Sequence, residues 1–214
     1  MIGEVRMSKS IKGDCFICGY SGAKIAMKNH ILKEHNEGEE KCYLIKAEGV
    51  YEKGYWLYFS IPLDASLLAI DKFLRKIWCE CCGHLSAFRL GREKIPKSSE
   101  LSLFSTGDKL LYEYDFGSTT EIMITITEEL LSPIQKEKAR LIARNKPLSR
   151  ACEKCELPAS YFEAYEREII CEKCAANEFI DECYLLPITN SPRSGECGYD
   201  GELDQWTFEE MIER

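Results

Sequence analysis

Histidine is scarce in this chain, with only three in 214 residues. No apolar run approaches the roughly 18 residues that a membrane-spanning helix needs. There is no glycine-rich phosphate loop, no nucleophile elbow and no H-E-x-x-H pair. The common signatures of nucleotide binding, acyl transfer and zinc proteolysis are therefore missing. Internal repeats, low-complexity tracts and long Pro/Gly/Ser linkers are also absent, so neither a repeat array nor loosely strung modules is expected. The stretch MIGEVRMSKSIKGD has no apolar core of the secretory type, and the compartment expected is the cytoplasm.

Cysteine, by contrast, is abundant at twelve. A disulfide scaffold would be shorter and evenly studded, whereas here the thiols fall into tight pairs, as metal ligands do. The net charge of −8 is unevenly spread. Residues 1–35 carry six Lys/Arg against three acids, 136–150 six against one, and 151–214 five against sixteen. Only the first two of these regions offer an electrostatic footing for a polyanion.

The clearest metal pattern is CEKC-(x15)-CEKC: Cys152, Cys155, Cys171 and Cys174. Two such knuckles bring four thiolates around one ion, and the spacing fits a zinc ribbon. Soft thiolate donors favour zinc, with iron as the usual substitute. A redox dithiol fits less well, because the two knuckles match and neither opens a βαβ helix. The second pattern is CFICGYSGAKIAMKNHILKEH, in which Cys15, Cys18, His30 and His35 have the spacing of a two-Cys/two-His finger. Met27 and Ile31 supply its small core.

Whether that finger reads DNA is testable by position. Base contacts come from helix positions −1, 3 and 6. Counting back from His30 as the seventh helical residue puts Ala23, Ala26 and Asn29 there, with Lys24 or Lys28 entering if the count slips by one. Alanine cannot donate to a base edge; of the three, only Asn29 can. The finger is expected to be a staple rather than a reader. Cys79, Cys81, Cys82 and His84 form a further group, from which Cys79, Cys82 and His84 are the set considered for a third ion. Cys42, Cys183 and Cys197 have no assignment. Asp108 and Asp115 sit in turn-like contexts, as turn aspartates commonly do.

Between the two metal patterns the chain reads as α+β, a mainly antiparallel sheet with a packed helix. CYLIKAEGV, YWLYFSIP and SAFRLG read as strands, and LLYEYDFGSTTEIMITITEEL as a hairpin with Ile122, Ile124 and Ile126 on one face. KARLIARN reads as a short edge strand. Leu67, Ile70, Leu74, Ile77 and Cys81 recur at three and four, predicting a helix over about 65–81 with Asp64 as its cap and Gly83 as its terminator. Residues 91–108 are expected to be irregular, and DQWTFEEMIE a terminal helix. The finger is expected over 1–40, and the α+β domain over 41–214 with the ribbon at 150–176.

FLRKIWCECCGHLSAF, LLYEYDFGS and LPITNSPRSGECGYDG resemble the plasmid pRiA4b ORF-3-like family, over roughly 42–145 and 185–200. YDFG at 114–117 and CGY at 197–199 carry the resemblance most specifically. It implies one compact α+β domain with strands near 51–62 and 109–130 in a sheet under the helix at 65–80, and the ribbon as an insertion. Such proteins are described as passengers of insertion elements and have no established activity. Where usual members follow YDFG with an acidic residue, a Trp and a His, this chain has Ser118, Thr119 and Thr120. The resulting expectation is a non-enzymatic protein with two zinc ions, used for contact with another protein. The alternatives are nucleic-acid binding through basic residues in 1–35 and 136–150, or a metal-dependent enzyme of mobile elements needing an open ion near Cys79–His84, Asp108 and Asp115. No membrane contact is expected.

Overall fold

The computed structural model describes residues 11–134 and 138–201. Among these, one large antiparallel sheet contains β1 (Lys12–Cys15), β2 (Ser21–Ala23), β3 (Glu40–Gly49), β4 (Trp56–Pro62) and β5 (Ser86–Leu90). β6 (Glu93–Ile95), β7 (Lys109–Tyr114), β8 (Thr120–Ser132) and β9 (Arg140–Asn145) complete it, in the order β2-β1-β9-β4-β3-β8-β7-β5-β6. A small separate sheet holds β10 (Tyr161–Glu163), β11 (Glu168–Ile170) and β12 (Leu185–Pro187). The helices are α1 (Lys24–Glu34), α2 (Leu67–Leu74) and α3 (Glu172–Asn177). The class is α+β, and the predicted strands around 42–62, 86–90 and 109–130 share one sheet.

β4 explains the architecture best. Every one of its residues is buried, the mark of a strand covered on both faces. Successive side chains alternate between the faces. Leu57, Phe59 and Ile61 join Tyr43 and Ile45 of β3 and Leu67, Ile70 and Leu74 of α2 in one core. Trp56 and Tyr58 join Cys42 and Leu44 and, from α1, Met27 and Ile31 in another. Each such side chain contributes about 1.5–3 kcal/mol by leaving water. The finger helix is therefore the cover of the sheet's second face. Its hairpin is also part of the sheet: Gly13 pairs with Asn145 and Cys15 with Ala143. A Cβ at Gly13 would lie 2.1 Å from the Arg144 carbonyl oxygen, so only glycine permits this approach. Residue 40, where the finger is expected to end, is the first residue of β3, and β1 and β2 belong to the same sheet as β3.

Four local expectations need correction. The helix begins at Leu67 with Ser66, not Asp64, in the cap position, and no side chain caps it. Its free N–H groups at Leu67 and Leu68 donate instead to the carbonyls of Ser99 and Lys97, at 3.0 and 2.7 Å. The 91–108 segment that supplies them is not irregular throughout; it contains β6 and a short 3-10 turn at Leu101–Leu103. After Leu74 the helix widens into a π turn over Arg75–Cys79, closed by the Glu80 N–H on the Arg75 carbonyl at 2.9 Å. Arg75 holds this end, donating to Asp71, Glu80 and the His84 carbonyl at 3.1, 2.7 and 2.6 Å. Finally, β9 is an interior strand between β1 and β4, not an edge. Gly83 does turn the chain in the left-handed region, at φ 81°. The expected helix at 204–213 lies outside the described residues.

Candidate metal centres

At the finger, the Cys15 N–H donates to the Tyr20 carbonyl and the Gly19 N–H to the Cys15 carbonyl, both at 2.8 Å, closing the knuckle. α1 then places Nε2 of His30 and of His35 at 3.2 and 3.3 Å from Cys18 Sγ. All four donor atoms, Cys15 included, lie within 4.8 Å of one another. A tetrahedral zinc site with ordinary bond lengths has S–N edges of about 3.5 Å and S–S edges of about 3.8 Å. Burial pushes the Cys15 thiol up, so a cation must displace its proton to bind. Burial, together with His30 and Arg140, pushes His35 down, which leaves its imidazole neutral and able to ligate. Tyr20 stacks on His30 with ring centroids 4.1 Å apart.

The helix begins at Lys24, which fixes the reading positions as Ala23, Ala26 and Asn29. Ala26 and Asn29 face solvent. The finger's lysines are engaged within the chain. Lys24 pairs with Glu48 of β3, Lys28 with Glu128 of β8 at 3.1 Å, and Lys33 with Glu34. The basic stretch before the ribbon is similar. Arg144 is buried and donates to the Asn190 carbonyl at 2.6 Å. Lys146 meets Asp14 at 3.3 Å and Arg150 meets Glu52 at 3.4 Å.

At the ribbon, Cys152, Cys155, Cys171 and Cys174 also converge within 4.8 Å. Cys155 Sγ is 3.6 Å from Cys171 Sγ and 3.5 Å from Cys174 Sγ, near the tetrahedral edge and far beyond the roughly 2.05 Å of a disulfide. At Cys152 burial opposes ionisation, but N–H groups of Cys171, Lys154 and Cys155 outweigh it and bring the thiol down to about 6. Cys174 is pushed up to about 12, first by its contact with Cys155. One thiol that ionises readily beside another that resists is what crowded donors give, and a cation sharing their charge would favour both thiolates. Lys154 clamps the knuckles from outside, meeting Glu168 at 2.9 Å and Glu178 at 2.7 Å.

A third group forms, with Cys82 and His84 in it as expected but without Cys79. Cys79 is fully buried in the core beneath α2, and burial drives its thiol far up. The π turn rotates it inward. Cys81, Cys82, His84 and Cys197 come together instead, again within 4.8 Å. His84 Nε2 lies 3.0 Å from Cys82 Sγ and 3.1 Å from Cys197 Sγ, with the two sulfurs 3.7 Å apart. Asp115 stands behind this group. It is the turn residue expected of the YDFG hairpin, held at φ 65° with its Oδ1 accepting the Gly117 N–H at 3.0 Å. That same Oδ1 lies 3.4 Å from His84 Nδ1. Buried Arg193 donates to Asp115 Oδ2 at 2.8 Å and to Cys81 Sγ at 3.4 Å. Asp108 merely closes a turn, accepting the Ser105 N–H at 2.8 Å. Of the remaining thiols, Cys42 is buried and pushed up to about 11 by burial, and Cys183 is exposed.

Three Cys/His groups able to hold a metal ion are thus present among the described residues. A surface depression of about 410 Å³ along α2, lined by Leu68, Phe73, Lys72, Lys76 and Lys138, includes none of their ligands. No helix among the described residues is long and apolar enough to cross a membrane.

No protein-family profile matches the chain, and no curated protein does. Among solved structures, it is similar to a protein of unknown function from Methanosarcina mazei Go1 at 21% identity, over 49% of this chain and 68% of that one, with a TM-score of 0.41.

Proposed function

We propose that this is a non-enzymatic interaction protein of the cytoplasm, in which zinc at the finger and at the ribbon has a structural task. Four protein donors converge at each, which leaves an ion no open position for a substrate or a reactive water. Protein contact is favoured over nucleic acid by one observation above all. The lysines that would give the finger its footing, Lys24 and Lys28, are paired with Glu48 and Glu128 of its own sheet. The ribbon offers the contact surface: Phe179, Tyr165 and Tyr184 are exposed there at 93, 76 and 46% in an acidic region. Exposed aromatic side chains flanked in sequence by acids fit a partner with an apolar pocket and a basic rim.

The kinship with the pRiA4b ORF-3-like family is part of this proposal. What supports it is that the three resembling stretches meet in space: Asp115 of YDFG touches Arg193 of NSPR, and His84 of CCGH touches Cys197 of CGY.

Two measurements test the reading. Elemental analysis of purified protein should return zinc that is lost when Cys155 or Cys18 is replaced by Ser. Fluorescence anisotropy with random duplex and single-stranded DNA or RNA at low salt should show no binding. Binding that falls steeply with added salt would overturn the preference for a protein partner.

A further inference from the structure

The segment 188–201 has little regular structure, yet it is tied to the body at every few residues. Trp78 Nε1 donates to the Asn190 carbonyl at 3.1 Å, and Ser191 Oγ donates to the Trp78 carbonyl at 2.7 Å. Asn145 and Asn190 exchange bonds of 2.6 and 3.0 Å. Ser191 and Arg193 are entirely buried. On its outer side, Gly195 sits directly on Phe162 of β10, where a Cβ would lie 2.5 Å from the ring, and Glu196 accepts from Arg167 at 2.7 Å. The segment therefore bridges the ribbon and the body. Near its end stands a strained residue, Cys197 at φ 50°, an orientation uncommon outside glycine. That orientation delivers Cys197 Sγ to the His84 ring.

We propose that Cys81, Cys82, His84 and Cys197 form a third zinc centre, a three-cysteine, one-histidine site that clamps residues 188–201 to the body. It stands on its own ligands and does not depend on the two centres proposed above. Its donor set is the soft, nitrogen-and-sulfur kind that favours zinc. It also has the outer shell that such sites carry. A metal-bound imidazole usually gives its other N–H to a carboxylate, which fixes the ring and raises its basicity. Asp115 stands in that place, 3.4 Å from Nδ1 while Nε2 faces the sulfurs. Arg193 holds Asp115 from behind and donates to Cys81, lending positive charge beside a site with three thiolates. Arg193 also stacks on Tyr114 at 4.9 Å, with Arg75 stacked on the same ring at 4.8 Å. The carboxylate, the guanidinium and the ring are therefore fixed before any ion arrives.

The experiment is zinc content per full-length chain, with Trp78 fluorescence as the second readout. Wild type should hold three zinc ions. His84→Ala and Cys197→Ser should each hold two, with the ribbon and finger ions retained, and the fluorescence of Trp78 should shift because Asn190 and Ser191 are released. Asp115→Asn keeps all four ligands and should weaken one ion by about 10–100-fold against a graded chelator while the others stay put. Reconstitution with cobalt(II) should give a His84-dependent thiolate absorption. A wild type with two ions, both indifferent to His84→Ala, would overturn the third centre and leave the finger and ribbon reading intact. A single ion lost only on His84→Ala would do the reverse. A metal-free centre with a Cys82–Cys197 disulfide formed by oxidation in air in unreduced protein, seen as a mass lower by two hydrogen atoms, would also overturn it.

Discussion

The finger and the ribbon offer similar donor sets, yet they stand on very different foundations. The finger's Met27 and Ile31 sit in a cluster with Leu44, Trp56, Tyr58, Leu130 and Ile142 of the main sheet. The ribbon's buried apolar cluster is Cys152, Ile170, Cys171 and Ala175, two of which are ligands themselves. A core this small cannot offset the entropy of ordering its loops. At the ribbon an ion would take the place of a hydrophobic core, whereas at the finger it would add to one. Loss of metal should therefore be a local catastrophe in one region and a modest loosening in the other.

The sharpest way to break the comparison is to remove one ribbon ligand. With Cys155→Ser, amides across 152–187 should lose their hydrogen-exchange protection together, since zinc in such modules contributes about 10–16 kcal/mol. Protection in β3, β4 and β8 should persist; if it vanished too, the ribbon would be part of the body's cooperative unit. Next in size is Met27→Ala, which should lower the main denaturant transition by about 2–5 kcal/mol, because that side chain covers the main sheet. Ile170→Ala should leave the same transition in place. Lys24→Ala should cost up to about 1 kcal/mol, less as salt rises, as its pairing with Glu48 is only partly shielded. The smallest effect belongs to Ala26→Arg on the exposed face of α1, which should change stability by no more than about 0.5 kcal/mol in the same melt. A larger cost would mean that a partner element covers this face.

What could be read from residue order was what local spacing encodes. The two knuckle pairs, the alternation in Ile122, Ile124 and Ile126 and the apolar run of β4 are short-range patterns, and they appear in the fold as strands and converging donors. The unbroken apolar run YWLYFSIP also carried a signal left unused, because a strand buried on both faces needs two covers. What was not legible depends on distant partners. Helix α2 is capped by carbonyls some thirty residues away, so no cap residue marks its start. Cys79 and Cys82 have helical spacing, but a π turn shifts the phase, and the fourth donor, Cys197, is separated from Cys82 by 115 positions. Lys24 and Lys28 look like a polyanion footing until β3 and β8 bring Glu48 and Glu128 against them.

The pairing of β1 with β9 also sets an order of events as the chain is made. Cys15 lies near the start, and its strand partner Ala143 emerges about 130 residues later. At a ribosomal pace of about 5–20 residues per second, that delay is roughly 6–26 s. Once His35 has emerged, the finger has all four donors while β9, the strand its hairpin pairs with, is still to come, and Cys15, buried in the finished fold, lacks that cover. The finger's four donors are therefore made before β9 exists, and an ion bound at that stage would meet Cys15 as an unprotected thiol rather than within a closed site.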